Sequence, residues 1–197
     1  MAGEKDTWTL ANIVTCVRIA LIPVFMFVAA VADIRDDASL AVAAFVIYVT
    51  LSLTDKLDGH LARSRGEITD FGKFLDPIAD KLLVFSALLL LLSHGHVSVW
   101  VVFIILAREF LVSALRMVAA SNGEVIAADK LGKAKTAVTM VSLCAYYLWL
   151  ALEAAGSYDL SGPVWLLAWV LMMVAVVLTV VSGAQYFWNA RHVVFGR

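Results

Sequence analysis

Long apolar runs alternate with short polar breaks along the chain, and the runs have the length that a lipid bilayer demands. A spanning helix needs roughly 20 predominantly apolar residues. Six stretches meet that need: 13–32, 38–57, 71–92, 97–120, 133–152 and 163–187. Strands of a membrane β-barrel would be shorter and would alternate apolar with polar residues, which these runs do not. The breaks are short, so the pattern predicts a single domain over 1–197, an all-α integral membrane protein with six transmembrane helices. Ahead of the first run, EKDTWTLAN carries Trp8 in a polar flank and predicts a short N-terminal interfacial helix at headgroup level.

Composition agrees. Of 197 residues, 62% are hydrophobic and 16% charged, where soluble domains hold about 45–50% and about 25%. Mean hydropathy is +0.91. The first run is too long for a signal peptide and lacks a small-residue cleavage site. The two cysteines, Cys16 and Cys144, lie inside apolar runs with no disulfide or zinc spacing and read as small buried hydrophobes.

Net charge is only -1, and its distribution says more than its sum. With the N-terminus inside, Arg35 is the only one of 15 Lys and Arg residues to fall outside. The outer turns ADIRDDAS, SHGHVS and EAAGSYDLSG are acidic or neutral. The positive-inside rule then places both termini in the cytoplasm.

The same rule places DKLDGHLARSRGEITDFGKFLDPIADK, residues 55–81, at the cytoplasmic boundary. Four aspartates stand in it. A charge at mid-bilayer costs about 2.5–3.5 kcal/mol and faces a polar cavity or a partner; aspartate is too short to snorkel far. Asp55 and Asp58 are spaced i, i+3 and Asp76 and Asp80 i, i+4, so each pair shares a helix face. The first pair is expected to end the second helix and the second pair to begin the third. Clustered carboxylates raise one another's pKa values, and divalent cations relieve the repulsion. Oxygen ligands select Mg²⁺, Mn²⁺ or Ca²⁺, and paired ions about 3.5–4 Å apart serve phosphoryl displacement. Gly59 allows close approach to the backbone beside Asp58, and Gly72 opens space one turn before Asp76; ordinary helix packing also uses glycine. Pro77 belongs to the first turns of the third helix or kinks it.

A basic group follows. Arg108 and Arg116 are eight apart on one face of the fourth helix, and Lys130, Lys133 and Lys135 open the fifth in DKLGKAKT. They serve either as a positive-inside anchor or as a pocket for an anionic substrate, Arg giving bidentate phosphate contacts and Lys a point charge. Glu109 is placed to orient one of the arginines.

The aspartate stretch has the form D-x2-D-G-x2-A-R-x8-G-x3-D-x3-D, carried by Asp55, Asp58, Gly59, Ala62, Arg63, Gly72, Asp76 and Asp80. This resembles the signature of the CDP-alcohol phosphotransferases, integral membrane enzymes of phospholipid synthesis. The segments ANIVTCVRIALIPVF, FGKFLDPIADKLL, AREFLVSALRM and DKLGKAKT are similar to the bacterial branch whose acceptor is glycerol 3-phosphate. Ala11 departs from that branch, which commonly has proline there.

The resemblance implies transfer of the phosphatidyl group of CDP-diacylglycerol to sn-glycerol 3-phosphate, giving phosphatidylglycerophosphate and CMP. It implies that Asp55, Asp58, Asp76 and Asp80 hold two ions, Mg²⁺ or Mn²⁺, and that Asp80 is also the general base. Asn12, Gly59, Arg63, Thr69 and Gly72 then bind CDP-diacylglycerol, and Arg108, Arg116, Lys133 and Lys135 the acceptor phosphate. The implied setting is the bacterial inner membrane, with lipid and the two substrates as partners, no nucleic acid, and a homodimer. Inositol phosphate is the alternative acceptor. A cation-coupled transporter is the rival from another class, and the clustering of all four aspartates at one face, with no matching charges in the outer half, weighs against it.

Overall fold

A computed structural model describes residues 9–65, 69–121 and 130–191, the side chains at 11, 55–65, 70, 73 and 76 excepted. Six helices and no strand occur among the described residues: α1 (Leu10–Arg35), α2 (Ala38–Arg65), α3 (Asp70–Ser93), α4 (Val99–Ser121), α5 (Lys130–Ala154) and α6 (Tyr158–Asn189). α1, α5 and α6 contain stretches long and apolar enough to cross a membrane, and the apolar part of α2, Ala38–Thr54, falls just short. α3 and α4 have 24 and 23 residues, a spanning length, but carry their charges inside the apolar run. The chain is a membrane protein.

Thr9 starts α1, its Oγ1 accepting from Asn12 N at 3.3 Å. Residues 10–12, expected in a separate interfacial helix, therefore form the first turn of α1; Trp8 lies outside the described residues. The expected end of the second helix at 57 also needs correction, because α2 continues to Arg65. Asp55 and Asp58 thus stand inside α2, about two turns before its end. Loss of hydropathy marks where lipid ends, whereas Leu57, Leu61, Ala62 and Arg63 are good helix formers that carry the helix onward.

The turns at the other end are tight. Asp36 (φ 50°) caps α1, its N–H donating to Ala32 O and Asp33 O, and Gly156 (φ 70°) stands between α5 and α6. Glycine adopts such a left-handed conformation without the Cβ penalty.

Buried residues on α1 recur at three and four: Asn12, Thr15, Arg18, Ile22, Phe25, Ala29 and Ala32. This stripe is polar towards the helix start and apolar beyond it. The apolar half meets an aromatic cluster in which Phe25, Tyr48 and Tyr147 have ring centroids 5.1–5.5 Å apart. Tyr147 also donates its hydroxyl to Ala87 O at 3.2 Å, so one side chain of α5 joins α1, α2 and α3. α5 and α6 are joined by Ser142, which donates to Ala168 O at 2.8 Å. The outward faces remain apolar, with Phe27, Trp100, Phe103, Phe110 and Val177 each more than half exposed, as a lipid-facing surface requires.

Replacing Tyr147 with Phe is expected to cost about 0.6–1.7 kcal/mol, the range of one interhelical hydrogen bond. Tyr147→Ala should cost about 3–5 kcal/mol by leaving a cavity as well. Thermal unfolding in detergent measures both, and equal melting temperatures for the two variants would remove Tyr147 from the core's organisation.

Candidate active site

The polar start of α1 meets the start of α3. Thr69, in extended conformation, caps α3 and accepts at Oγ1 from Gly72 N at 3.0 Å. The same oxygen accepts from Asn12 Nδ2 at 2.7 Å. Asn12 and Thr69 are both buried. A Cβ on Gly72 would stand 2.5 Å from Asn12 Oδ1 and 3.2 Å from Thr69 Oγ1. Gly72 is therefore glycine because the Asn12 amide occupies the space a side chain would need. Three of the five residues expected at CDP-diacylglycerol come together here, and Thr15 and Arg18 continue the same buried face. Thr15 carries no motif of its own; the period of the α1 stripe is the signal that finds it. Gly59 and Arg63 belong to the last turns of α2, where side chains lie outside the described residues.

Helix register relates the four aspartates. Among the described side chains of α2, buried Ala41, Ala44, Tyr48 and Leu51 are spaced by three and four, and positions 55 and 58 fall at the next steps of that spacing. On α3, Asp76 falls between buried Gly72 and buried Ala79, and Asp80 follows Ala79. The side chains of Asp55, Asp58 and Asp76 lie outside the described residues. Asp80 is half-buried and lines a cavity of about 20 Å³ with Lys81, Glu109, Lys135, Thr136 and Thr139, roughly the room one water needs. Four carboxylates at these positions would offer only oxygen donors, which suit hard divalent ions.

Across this cavity stands the basic group, which the structure divides. Glu109 Oε1 accepts from Arg108 Nη1 at 2.9 Å and from Lys135 Nζ at 2.5 Å. Lys135 is 4% exposed, so this pairing is what makes its burial tolerable. Arg108 also donates from Nη2 to Ser182 at 3.3 Å, which draws α6 into the group. Arg116 lies one face-repeat further along α4, donating Nε–H to the Tyr186 hydroxyl at 2.9 Å, with its guanidinium 5.3 Å from that ring's centroid. Lys130 and Lys133 are exposed, Lys133 being turned away from Lys135 by their i, i+2 spacing on α5. Lys81, next to Asp80, donates to Ser113 of α4. Ser113, Ser182 and Tyr186 are thus parts of this region that charge patterning does not reveal, since each is an uncharged residue in an apolar helix.

Comparison with known proteins bears on this arrangement. The model of the CDP-alcohol phosphatidyltransferase family matches residues 8–181, a span that holds Asn12, all four aspartates and the basic group. The CDP-diacylglycerol–glycerol-3-phosphate 3-phosphatidyltransferase of Bacillus subtilis is 39% identical over 194 residues, covering 93% of this chain and 97% of its own. The Escherichia coli protein of the same name is 36% identical over 192 residues, covering 93% and 96%. A probable phosphatidylglycerophosphate synthase of Mycobacterium tuberculosis is 39% identical over 186 residues, covering 94% and 83%. With the signature residues on α2 and α3 and relatives matching over most of both chains, the chain belongs to the CDP-alcohol phosphatidyltransferase family.

Proposed function

We propose that the chain transfers the phosphatidyl group of CDP-diacylglycerol to sn-glycerol 3-phosphate, releasing CMP and phosphatidylglycerophosphate. Relatives similar over most of its length are named for this reaction. The observation that carries it in this chain is the cavity shared by Asp80 of the aspartate motif and Lys135 of the basic group. On this reading that cavity would bring a base and a cation for an acceptor phosphate side by side.

The residues divide the work. Asn12, Thr69 and Gly72 form a buried polar surface at the helix starts, and with Gly59 and Arg63 they would hold the CDP group. Asp55, Asp58, Asp76 and Asp80 would hold two divalent ions, Mg²⁺ or Mn²⁺, whose charge when bound neutralises the pyrophosphate and the departing CMP. Asp80 accepts the proton of the attacking hydroxyl as the new phosphoester bond forms and the bond to CMP breaks. A carboxylate that also ligates metal is a weak base, so Asp80 positions the hydroxyl as well. Arg108 and Lys135, with Arg116, would hold the acceptor phosphate and orient the attack, while Lys133, turned outward, would only attract it. Glu109 sets where Arg108 and Lys135 stand.

The reading extends to topology. All six helices span the bacterial inner membrane and the aspartate end faces the cytoplasm, because among the described residues the lysines and arginines other than Arg35 belong to that end. The family resemblance extends it further to a homodimer, with a second copy covering part of the exposed apolar surface.

Three variants test the division of labour. Asp80→Asn should lower kcat by about 10²–10⁴-fold, the contribution of a general base, with folding intact; near-normal CMP release from reconstituted D80N would sink that role. Gly72→Ala should push Asn12 off Thr69 and raise KM for CDP-diacylglycerol about tenfold, equivalent to about 1.4 kcal/mol. An unchanged KM would remove this surface from the nucleotide site. Arg116→Ala should raise KM for glycerol 3-phosphate more than KM for CDP-diacylglycerol, and equal effects would move Arg116 out of the acceptor pocket. CMP release measured across a panel of alcohols, inositol phosphate included, decides the acceptor.

A further inference from the structure

At the end of the bundle opposite the aspartates, three metal-ligating side chains converge from separate parts of the chain. Asp33 stands near the end of α1, and His94 and His96 in the turn between α3 and α4. His94 Nε2 is 3.6 Å from Asp33 Oδ2, and His96 Nε2 is 4.0 Å from Asp33 Oδ1. All three ligand atoms lie within 4.8 Å of one another. This cluster is separate from the four-aspartate site: it lies at the far end of α3, and its donors are mixed nitrogen and oxygen.

The turn carrying the histidines is held by the backbone. His96 N donates to Leu91 O at 2.8 Å and Gly95 N to Leu92 O at 3.0 Å, closing α3. Gly95 (φ 75°) reverses the chain between the two imidazoles. The His96 ring is set edge-on against Trp149, 4.9 Å between centroids at 87°. Its Nε2 is buried and makes no hydrogen bond among the described residues. That nitrogen stands 4.0 Å from the Asp33 carboxylate, on the side where His94 also approaches it.

We infer that Asp33, His94 and His96 form a binding site for a divalent transition ion of the zinc class, clamping α1 to the α3–α4 turn. Two imidazoles and one carboxylate suit Zn²⁺ and its neighbours, whereas Mg²⁺ is held by oxygen alone. Zinc bonds of about 2.0–2.2 Å place tetrahedral ligand atoms roughly 3.3–3.5 Å apart. The 3.6 and 4.0 Å pairs are close to that, and Asp33, whose side chain is 40% exposed, has freedom to adjust. A cavity of about 180 Å³ adjoins all three residues and leaves the fourth position to water or a small ligand. An ion bound there acts on stability rather than on phosphatidyl transfer, because it favours the folded chain.

The experiment uses full-length protein in detergent, stripped of metal and kept in excess Mg²⁺ so that the aspartates are occupied. Zn²⁺ titration is expected to give one ion per chain and a melting temperature raised by several degrees. In H94A/H96A both should be lost, while transferase activity stays at the parent level and cooperative unfolding shows an intact fold. Asp33→Asn, at a partly exposed position, gives a gentler second variant with weakened Zn²⁺ binding. Cu²⁺ in place of Zn²⁺ should show nitrogen coupling from imidazole in its paramagnetic resonance spectrum. Equal Zn²⁺ binding by parent and H94A/H96A, no binding by either, or a copper spectrum without nitrogen coupling would each overturn the inference.

Discussion

The carboxylate of Glu109, accepting from Arg108 and Lys135 together, organises the polar end of this bundle. A cation buried between apolar helices must be paired or it is strongly destabilising. Lys135 is almost fully enclosed, so its position on α5 is fixed by where α4 presents Glu109. Arg108 then reaches Ser182 on α6, so one acidic side chain indirectly sets three helices. Asp80 meets this group from α3 across a water-sized cavity. The Arg108, Glu109 and Lys135 group is consequently placed by an ion-pair network, and the Asn12 and Thr69 group by neutral hydrogen bonds. The two groups are built by different physics, and Asp80 borders the ion-pair group.

How much of this was legible in the sequence depends on which force set each feature. Burial in lipid is a period and a length, so the six helices follow from hydropathy, with boundaries close to those observed for α3 and α4. α2 is the exception, because helix propensity beyond the membrane edge carries it to Arg65 where hydropathy alone stops at 57. The aspartate spacing was legible because carboxylates in an apolar chain stand out against their surroundings. The division of the basic group was not, since charge counting cannot separate Lys135, turned inward to Glu109, from Lys133, turned outward two residues earlier. Tyr186 and Ser182 were invisible for the same reason, their roles arising only from packing of α6 against α4. The His94 and His96 pair likewise reads as a neutral outer turn until the fold brings Asp33 beside it.

The glycines connect these observations. Glycine inside a helix costs about 0.5–1 kcal/mol relative to alanine, so its position carries information where a neighbour explains it. A Cβ on Gly72 would strike Asn12, a Cβ on Gly132 would stand 3.3 Å from Arg108 Nη2, and one on Gly183 3.2 Å from Arg108 Cγ. At each of these the tight neighbour is a polar or charged side chain crossing between helices at the aspartate end. Gly162, near the start of α6 at the opposite end, has nothing within 4 Å. Generic helix packing would place the tight contacts against apolar side chains along the whole bundle. Among the described glycines these close approaches gather around Asn12 and Arg108, which fits a role in seating polar groups between helices. A lipid-anchored nucleotide and a soluble phosphate can meet only where such groups are held in place at the membrane boundary, and helix-to-helix spacing small enough to hold them is what the glycines supply.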